Sequence, residues 1–323
     1  MKPDNLFSDL AIGRLARDHP LSYIDIGLRG GFQEDLSPLA FAVNAFGFEP
    51  DPQERARLDA APAGPWMSSR ILPHAIGATS GRQKLFVPTD PQSASLLEHN
   101  PEIGEKFRKP QFFEIEEIID VDTVTLAEAA RSTGIGSVDY IKIDIEGAEM
   151  GVFEASPRVM DRVLAVKTEV SFLPVRHDQP LAHDVEAYFK ERHFDLMDVI
   201  QPAHWRRQGY QVHPYMSREK PPYSRGQLIQ ADHLYFRDPQ SLGNDIGALT
   251  KLALISMAFG YFDNALMIFE QPELCSQLRR TYGVSPLELV HPASRKYGRK
   301  MFLNAAYRQF RGLVPFLRYF KHY

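Results

Sequence analysis

The chain has 323 residues, enough to bury a large α/β domain with an appendage. Its single cysteine, Cys275, excludes internal disulfides and multi-cysteine zinc sites. Net charge is −4, yet no acid follows Glu288 while Arg295, Lys296, Arg299, Lys300, Arg308, Arg311, Arg318 and Lys321 do; the remainder thus carries about −12, a balance that argues against nucleic acid as the main substrate.

Apolar β-type runs alternate with helical stretches, the pattern of a mostly parallel sheet with crossover helices on both faces. In chain order, strands are predicted near Leu21–Ile26, Phe46–Glu49, Arg70–Ile76, Val138–Asp144, Arg162–Ser171, Phe194–Ile200 and His233–Arg237. Helices are predicted over 35–45, 52–60, 125–133, 148–155 and 181–191, with a looser Pro-rich insertion from Pro88 to Pro110. The aromatic, basic and Pro-rich stretch Pro202–Arg225 reads as a loop or lid. Within it His204, Trp205, Arg206, Arg207 and Tyr210 are candidates for contact with a sugar or an anionic headgroup. Past Gly243 the pattern is helix without strand, broken around Gly260. FGYFDNALMIFE there resembles half of one tetratricopeptide unit, but a single unit does not make an array, and a helical hairpin packed on the main domain is expected. No stretch approaches ~20 uninterrupted apolar residues, and MKPDNLFSDLAIGRLARDH lacks a signal-type apolar core, so a cytoplasmic location is expected.

Three sites carry chemistry. In YIDIGLRGG a strand ends at Asp25-Ile26, and Gly27 and Gly31 frame a turn through which backbone can approach a ligand closely. It is not the dinucleotide fingerprint, because Arg29 stands where the middle glycine is required, which also disfavours a nicotinamide dehydrogenase. About twenty residues on, FGFEPDP ends a short strand in Glu49, where a carboxylate can accept hydrogen bonds from two ribose hydroxyls. The third site is VDYIKIDIEGAE: on an extended strand Ile141, Ile143 and Ile145 share one face, and Lys142, Asp144 and Glu146 the other. Charges in a central strand either pair with each other, bracing the sheet, or sit at its open C-terminal end, where such sheets bind ligands.

The order IDIGxxxG, FEPDP, an IGATSGRQKLFV hairpin, a TLAEA helix and IKIDIEGAE resembles the FkbM-type methyltransferase family, from about Leu21 to Ser171 and more loosely to Arg237. The resemblance implies a Rossmann-like class I methyltransferase fold over residues 1–240, with 241–323 a helical extension ending in a basic tail. It implies S-adenosylmethionine as donor and an oxygen acceptor on a sugar, glycolipid or other small metabolite. By position Asp25, Gly27 and Gly31 would line the methionine end of the cofactor, Glu49 would hold the ribose, Ala75 and Ile76 would border adenine, and Asp144 would face the sulfonium and the acceptor. Where the family commonly has Ala-Asn after the first glycine, Leu28-Arg29 stands, and Arg29 either pairs with the methionine carboxylate or points to solvent.

A hydroxyl acceptor needs a base, and Asp144, Glu146, Glu169 and His177 are the candidates. Clustered carboxylates also suit Mg²⁺, the less favoured reading beside cofactor contacts. The alternative from another class is a non-catalytic nucleoside-binding module that recruits a partner through its helical tail. Finally, on a helical wheel Phe302, Ala306, Phe310, Leu313 and Leu317 fall opposite Lys300, Arg308, Arg311 and Arg318, with Pro315 expected to kink or end the helix. Residues 295–323 therefore either contact a membrane surface peripherally or pack on the protein's own acidic body.

Overall fold

A computed structural model describes residues 5–61, 64–207 and 226–319, with side chains as far as 311. The elements in chain order are α1 (Ala11–Asp18), β1 (Leu21–Ile26), β2 (Val43–Phe48), α2 (Pro52–Asp59), β3 (Ser68–Leu72), β4 (Ala75–Ile76), β5 (Gly81–Pro88), α3 (Pro101–Phe107), β6 (Ile115–Val124), α4 (Leu126–Thr133), β7 (Tyr140–Ile143), α5 (Glu149–Ala155), α6 (Pro157–Met160), β8 (Ala165–Ser171), α7 (Ala182–Glu191), β9 (Phe194–Trp205), β10 (Gln227–Arg237), α8 (Ile246–Phe259), α9 (Phe262–Phe269), α10 (Pro272–Tyr282) and α11 (Pro286–Tyr319). The central sheet has seven strands in the order β3-β2-β1-β7-β8-β10-β9, and β10 alone runs against its neighbours. Strand order reverses between β1 and β7, so the crevice for a ligand opens above the C-terminal ends of these two strands.

Alternation along the strands assigns each face its own core. Ile24 and Ile26 of β1, Ile141 and Ile143 of β7 and Val166 of β8 point toward α4, α5 and α7. Leu21, Tyr23, Val43, Ala45, Tyr140 and Ala165 point the other way, onto α1 and the C-terminal helices. Of these α8 is apolar around nearly its whole circumference, as a helix buried on all sides must be. It ends at Gly260, which takes the left-handed cap, and α9 turns back beneath it.

Several elements differ from the sequence expectation. The helix expected over 35–45 is a short 3-10 turn, Ser37–Ala42, because strand pairing with β1 already begins at Val43. The expected strand Arg70–Ile76 is split at Pro73-His74, and Ala75–Ile76 joins a second, three-stranded sheet of order β4-β6-β5. The segment read as a hairpin is therefore not paired with itself: both of its strands flank β6, which went unrecognised because IEEIIDVDTV mixes apolar and acidic residues on both faces. The insertion from Pro88 contains α3, capped by the Asn100 side chain. The start of the expected loop at Pro202 is still strand, to Trp205, and α11 does not end at Pro315 but continues to Tyr319. Tyr210 lies outside the described residues.

Candidate active site

The glycine turn is built against the neighbouring strand. Gly27 has φ +83°, and a Cβ there would run into the main-chain oxygen of Asp144, so β1 and β7 leave the sheet in near contact. Gly31 follows at φ +103°. The Gly30 N–H donates to Glu54 Oε1 at 3.0 Å, and the half-exposed Arg29 guanidinium lies 3.5 Å from Asp51, which latches the turn to the start of α2. Glu49 stands at the tip of β2, buried, with one oxygen accepting the Asp51 N–H at 3.0 Å. Burial raises its pKa above the usual carboxylate range.

A row of charge crosses the sheet beside this turn, because the register sets Asp25 opposite Lys142 and Lys142 opposite Lys167. Lys142 Nζ lies 3.5 Å from Asp25 and 3.6 Å from Asp144. Asp25 is fully buried and also accepts the Tyr23 hydroxyl at 2.6 Å and the Gln33 N–H at 2.9 Å. Lys167 pairs with Asp35 at 2.6 Å, and Asp35 accepts the Tyr140 hydroxyl at 2.7 Å. Burial opposes the charge on Lys142, but the carboxylates of Asp25, Asp144 and Asp232 together hold its pKa above the ordinary lysine value. Asp25 is thus an anchor beneath the turn, and Lys142 both braces the sheet and reaches its open end.

Above that row three carboxylates converge: oxygens of Asp144, Glu146 and Glu169 lie within 4.8 Å of one another, a spacing that also suits a divalent cation. Glu169 comes from β8, where it also accepts an N–H from Gln230 at 3.1 Å. Glu146 is not delivered by strand alternation, which stops at Ile143. It sits in a left-handed turn, φ +60°, held by buried Glu149, whose carboxylate accepts the N–H groups of Ile145 and Gly147 at 2.9 and 3.1 Å. Arg176 pairs with Glu146 at 2.6 Å and also donates to the Ser93 carbonyl, tying the insertion to the site. Burial raises Glu146 to about 7 and Glu149 to about 6, and Glu169 is pushed well up by burial and then by its acidic neighbours.

These shifts set a pH dependence. A carboxyl whose pKa is higher folded than unfolded stabilises the fold fully below about 4.5, and that contribution is lost as pH rises through its folded pKa. The melting temperature is expected to fall between pH 5 and pH 7.5, and to fall less steeply in Glu169→Gln, which lacks one of the titrating groups. Calorimetric scans across that range check this; equal slopes in the two proteins would refute it.

Of the residues expected from the sequence, the structure brings Gly27, Gly31, Glu49, Asp144, Glu146 and Glu169 to the C-terminal side of the sheet around the β1–β7 reversal. Arg29 turns outward toward Asp51. Ala75 is half-buried and Ile76 buried, in the second sheet against the core of the first. His177 is exposed, with its main-chain N–H on the Glu98 carbonyl; the residue before it, Arg176, turns inward instead. Trp205 is packed among Phe107, Phe112 and Phe113, inside a small core of the insertion. Arg176, Glu149, Lys167 and Asp35 were not anticipated, and only the last glutamate of IEGAE carried a sequence signal, its place three residues after Glu146.

A sheet in this order, with one reversed strand next to its edge and a glycine turn at the reversal point, is the class I methyltransferase fold. The family model "Methyltransferase FkbM domain" matches residues 37–196, and the chain carries this methyltransferase domain. The matched span opens after β1, so the glycine turn is placed by the fold and not by the match. Among solved structures, the chain is similar to TehB from Haemophilus influenzae (9% identity, 73% of this chain and 68% of that one, TM-score 0.31). It is similar also to the C-terminal domain of precorrin-6Y C5,15-methyltransferase from Rhodobacter capsulatus (11%, 70% and 86%, TM-score 0.27). A third is the glycopeptide N-methyltransferase MtfA complexed with sinefungin (9%, 71% and 85%, TM-score 0.27). No curated relative matches the sequence.

Proposed function

We propose that the protein transfers the methyl group of S-adenosylmethionine to a hydroxyl oxygen of a sugar, glycolipid or other small metabolite. The observation that carries this reading is the convergence of Asp144, Glu146 and Glu169 beside the glycine turn, with burial raising the proton affinity of the two glutamates.

The site suits that donor. Gly27 and Gly31 open the backbone at the sheet's reversal point, and Glu49 stands one strand away to accept the ribose hydroxyls. Bound there, S-adenosylmethionine supplies an electrophilic methyl carbon on a sulfonium. The surplus of carboxylates over Lys142, Lys167 and Arg176 favours a cationic ligand over a neutral one. Burial lifts the Glu146 carboxyl to about 7, which makes it a competent base for a hydroxyl, so Glu146 takes the acceptor's proton as the acceptor oxygen gains the methyl group and the sulfonium leaves as the thioether. Arg176 holds Glu146 in place while it does so.

Calorimetry with S-adenosylhomocysteine tests the donor: wild type binds, and Glu49→Ala weakens binding by about 1–3 kcal/mol through loss of charge-assisted hydrogen bonds. Binding of NAD with none of the nucleoside thioether would overturn the assignment. Incubating the protein and cell extract with methyl-labelled donor tests the acceptor: label that resists mild alkali is not a methyl ester, and its release as methyl iodide by hydriodic acid identifies the methyl ether that O-methylation of an alcohol requires.

A further inference from the structure

Helix α11 leaves the body part-way along its length. Its opening turns are packed, with Leu289, Val290 and Ala293 buried, Tyr297 against the rings of Phe7 and Phe262, and Lys296 paired with Asp9 at 2.5 Å. From Gly298 to Arg311 no residue is buried. The acidic body therefore does not cover the large apolar side chains of this stretch, and the self-packed reading of the tail does not account for them. The backbone stays helical to Tyr319, so the projecting part reaches about 30 Å from its last contacts.

What it exposes is large and apolar: Phe302 is 72%, Leu303 67%, Tyr307 63% and Phe310 70% exposed. With Ala306 these share one face of the helix, on which Arg299 also lies, and Lys300, Asn304, Arg308 and Arg311 border that face beyond Tyr307. No acid follows Glu288. Isolated exposed apolar residues are ordinary, but four on one helical face, in a segment whose charged residues are all cations, form a surface of defined chemistry.

We propose that this part of α11 docks on an anionic phospholipid bilayer, lying in the plane of the interface with its apolar face among the acyl-chain ends. The charge identifies the occupant, because an apolar face bordered on one side by Lys300, Arg308 and Arg311, with Arg299 among its rings and no acid along the segment, complements a sheet of negative headgroups. The aromatic rings suit the headgroup boundary, and no described helix is long and apolar enough to cross the membrane. This goes beyond methyl transfer and does not depend on it.

The full-length protein is sedimented with vesicles made from equal parts phosphatidylglycerol and phosphatidylcholine, and separately with phosphatidylcholine alone. Wild type is expected to bind the anionic vesicles at least about tenfold better than the neutral ones, and raised salt should weaken that binding. F302S/F310S is expected to lose binding to both, and R308E/R311E to lose the preference for anionic lipid. These positions are exposed, so melting temperatures should match wild type, which separates lost docking from misfolding. Failure of wild type to bind anionic vesicles would overturn the proposal, as would undiminished binding by F302S/F310S. A dimer seen by light scattering that F302S/F310S abolishes, without vesicle binding, would overturn it in favour of a contact between copies of this chain.

Discussion

Gly27→Ala is expected to destabilise the protein by about 3–5 kcal/mol, and to abolish binding of the donor in whatever fraction still folds. Two penalties act at once. The residue has φ +83°, a region in which an alanine is strained. Its added methyl group would also overlap the main-chain oxygen of Asp144, and that backbone cannot yield, because the Asp144 N–H is itself bonded to the Ile26 carbonyl at 3.1 Å. Relief would require β1 and β7 to separate at the point where the sheet opens for its ligand. Denaturant titration gives the stability loss and calorimetry the binding. A loss below about 1 kcal/mol would show that the two loops are free to part, and that the turn is not set by this contact.

Asp144→Asn is expected to lower turnover about 100-fold or more while shifting the melting temperature little. The Asp144 side chain is 40% exposed, and its ion pair with Lys142 is backed by the fully buried Asp25 on the other side, so removing its charge leaves Lys142 with a partner. What the variant loses is negative charge at the mouth of the site, next to Glu146 and Glu169. Single-turnover assays beside thermal melts separate the two effects. A melting loss in proportion to the activity loss would make Asp144 a structural brace.

The strand ends that carry the site were legible in the sequence, and of its turns only the one marked by Gly27 and Gly31 was. Glu49 and Glu169 could be placed because each lies at or near the end of an apolar run, and the parallel order then brings Glu169 beside Asp144. Glu146 reaches the cluster by another route than the one expected: extrapolated alternation put it on the strand face, whereas a left-handed turn held by Glu149 brings it there. Arg176 and Asp35 were invisible, since a loop residue finds its partner through the fold and not through spacing. His177 drew attention for its intrinsic chemistry, and its backbone turns it to solvent. The missing helix after β1 has the same origin: the apolar content of 35–45 is real and buried, but it is covered by helices more than two hundred residues later.

That last arrangement bears on how the chain is made. The side chains that shield Leu21, Tyr23 and Val43 from α8, α9 and the first turns of α11 are synthesised about two hundred residues after them. The ties that close this layer are correspondingly distant in sequence: Asp139 to Lys251, Asp18 to Tyr282, Asp9 to Lys296. Contacts of such long range make folding slow. Until α8 to α11 have been made, one side of the nascent sheet, covered only in part by α1, offers an apolar plane, a surface for chaperones and a liability for aggregation.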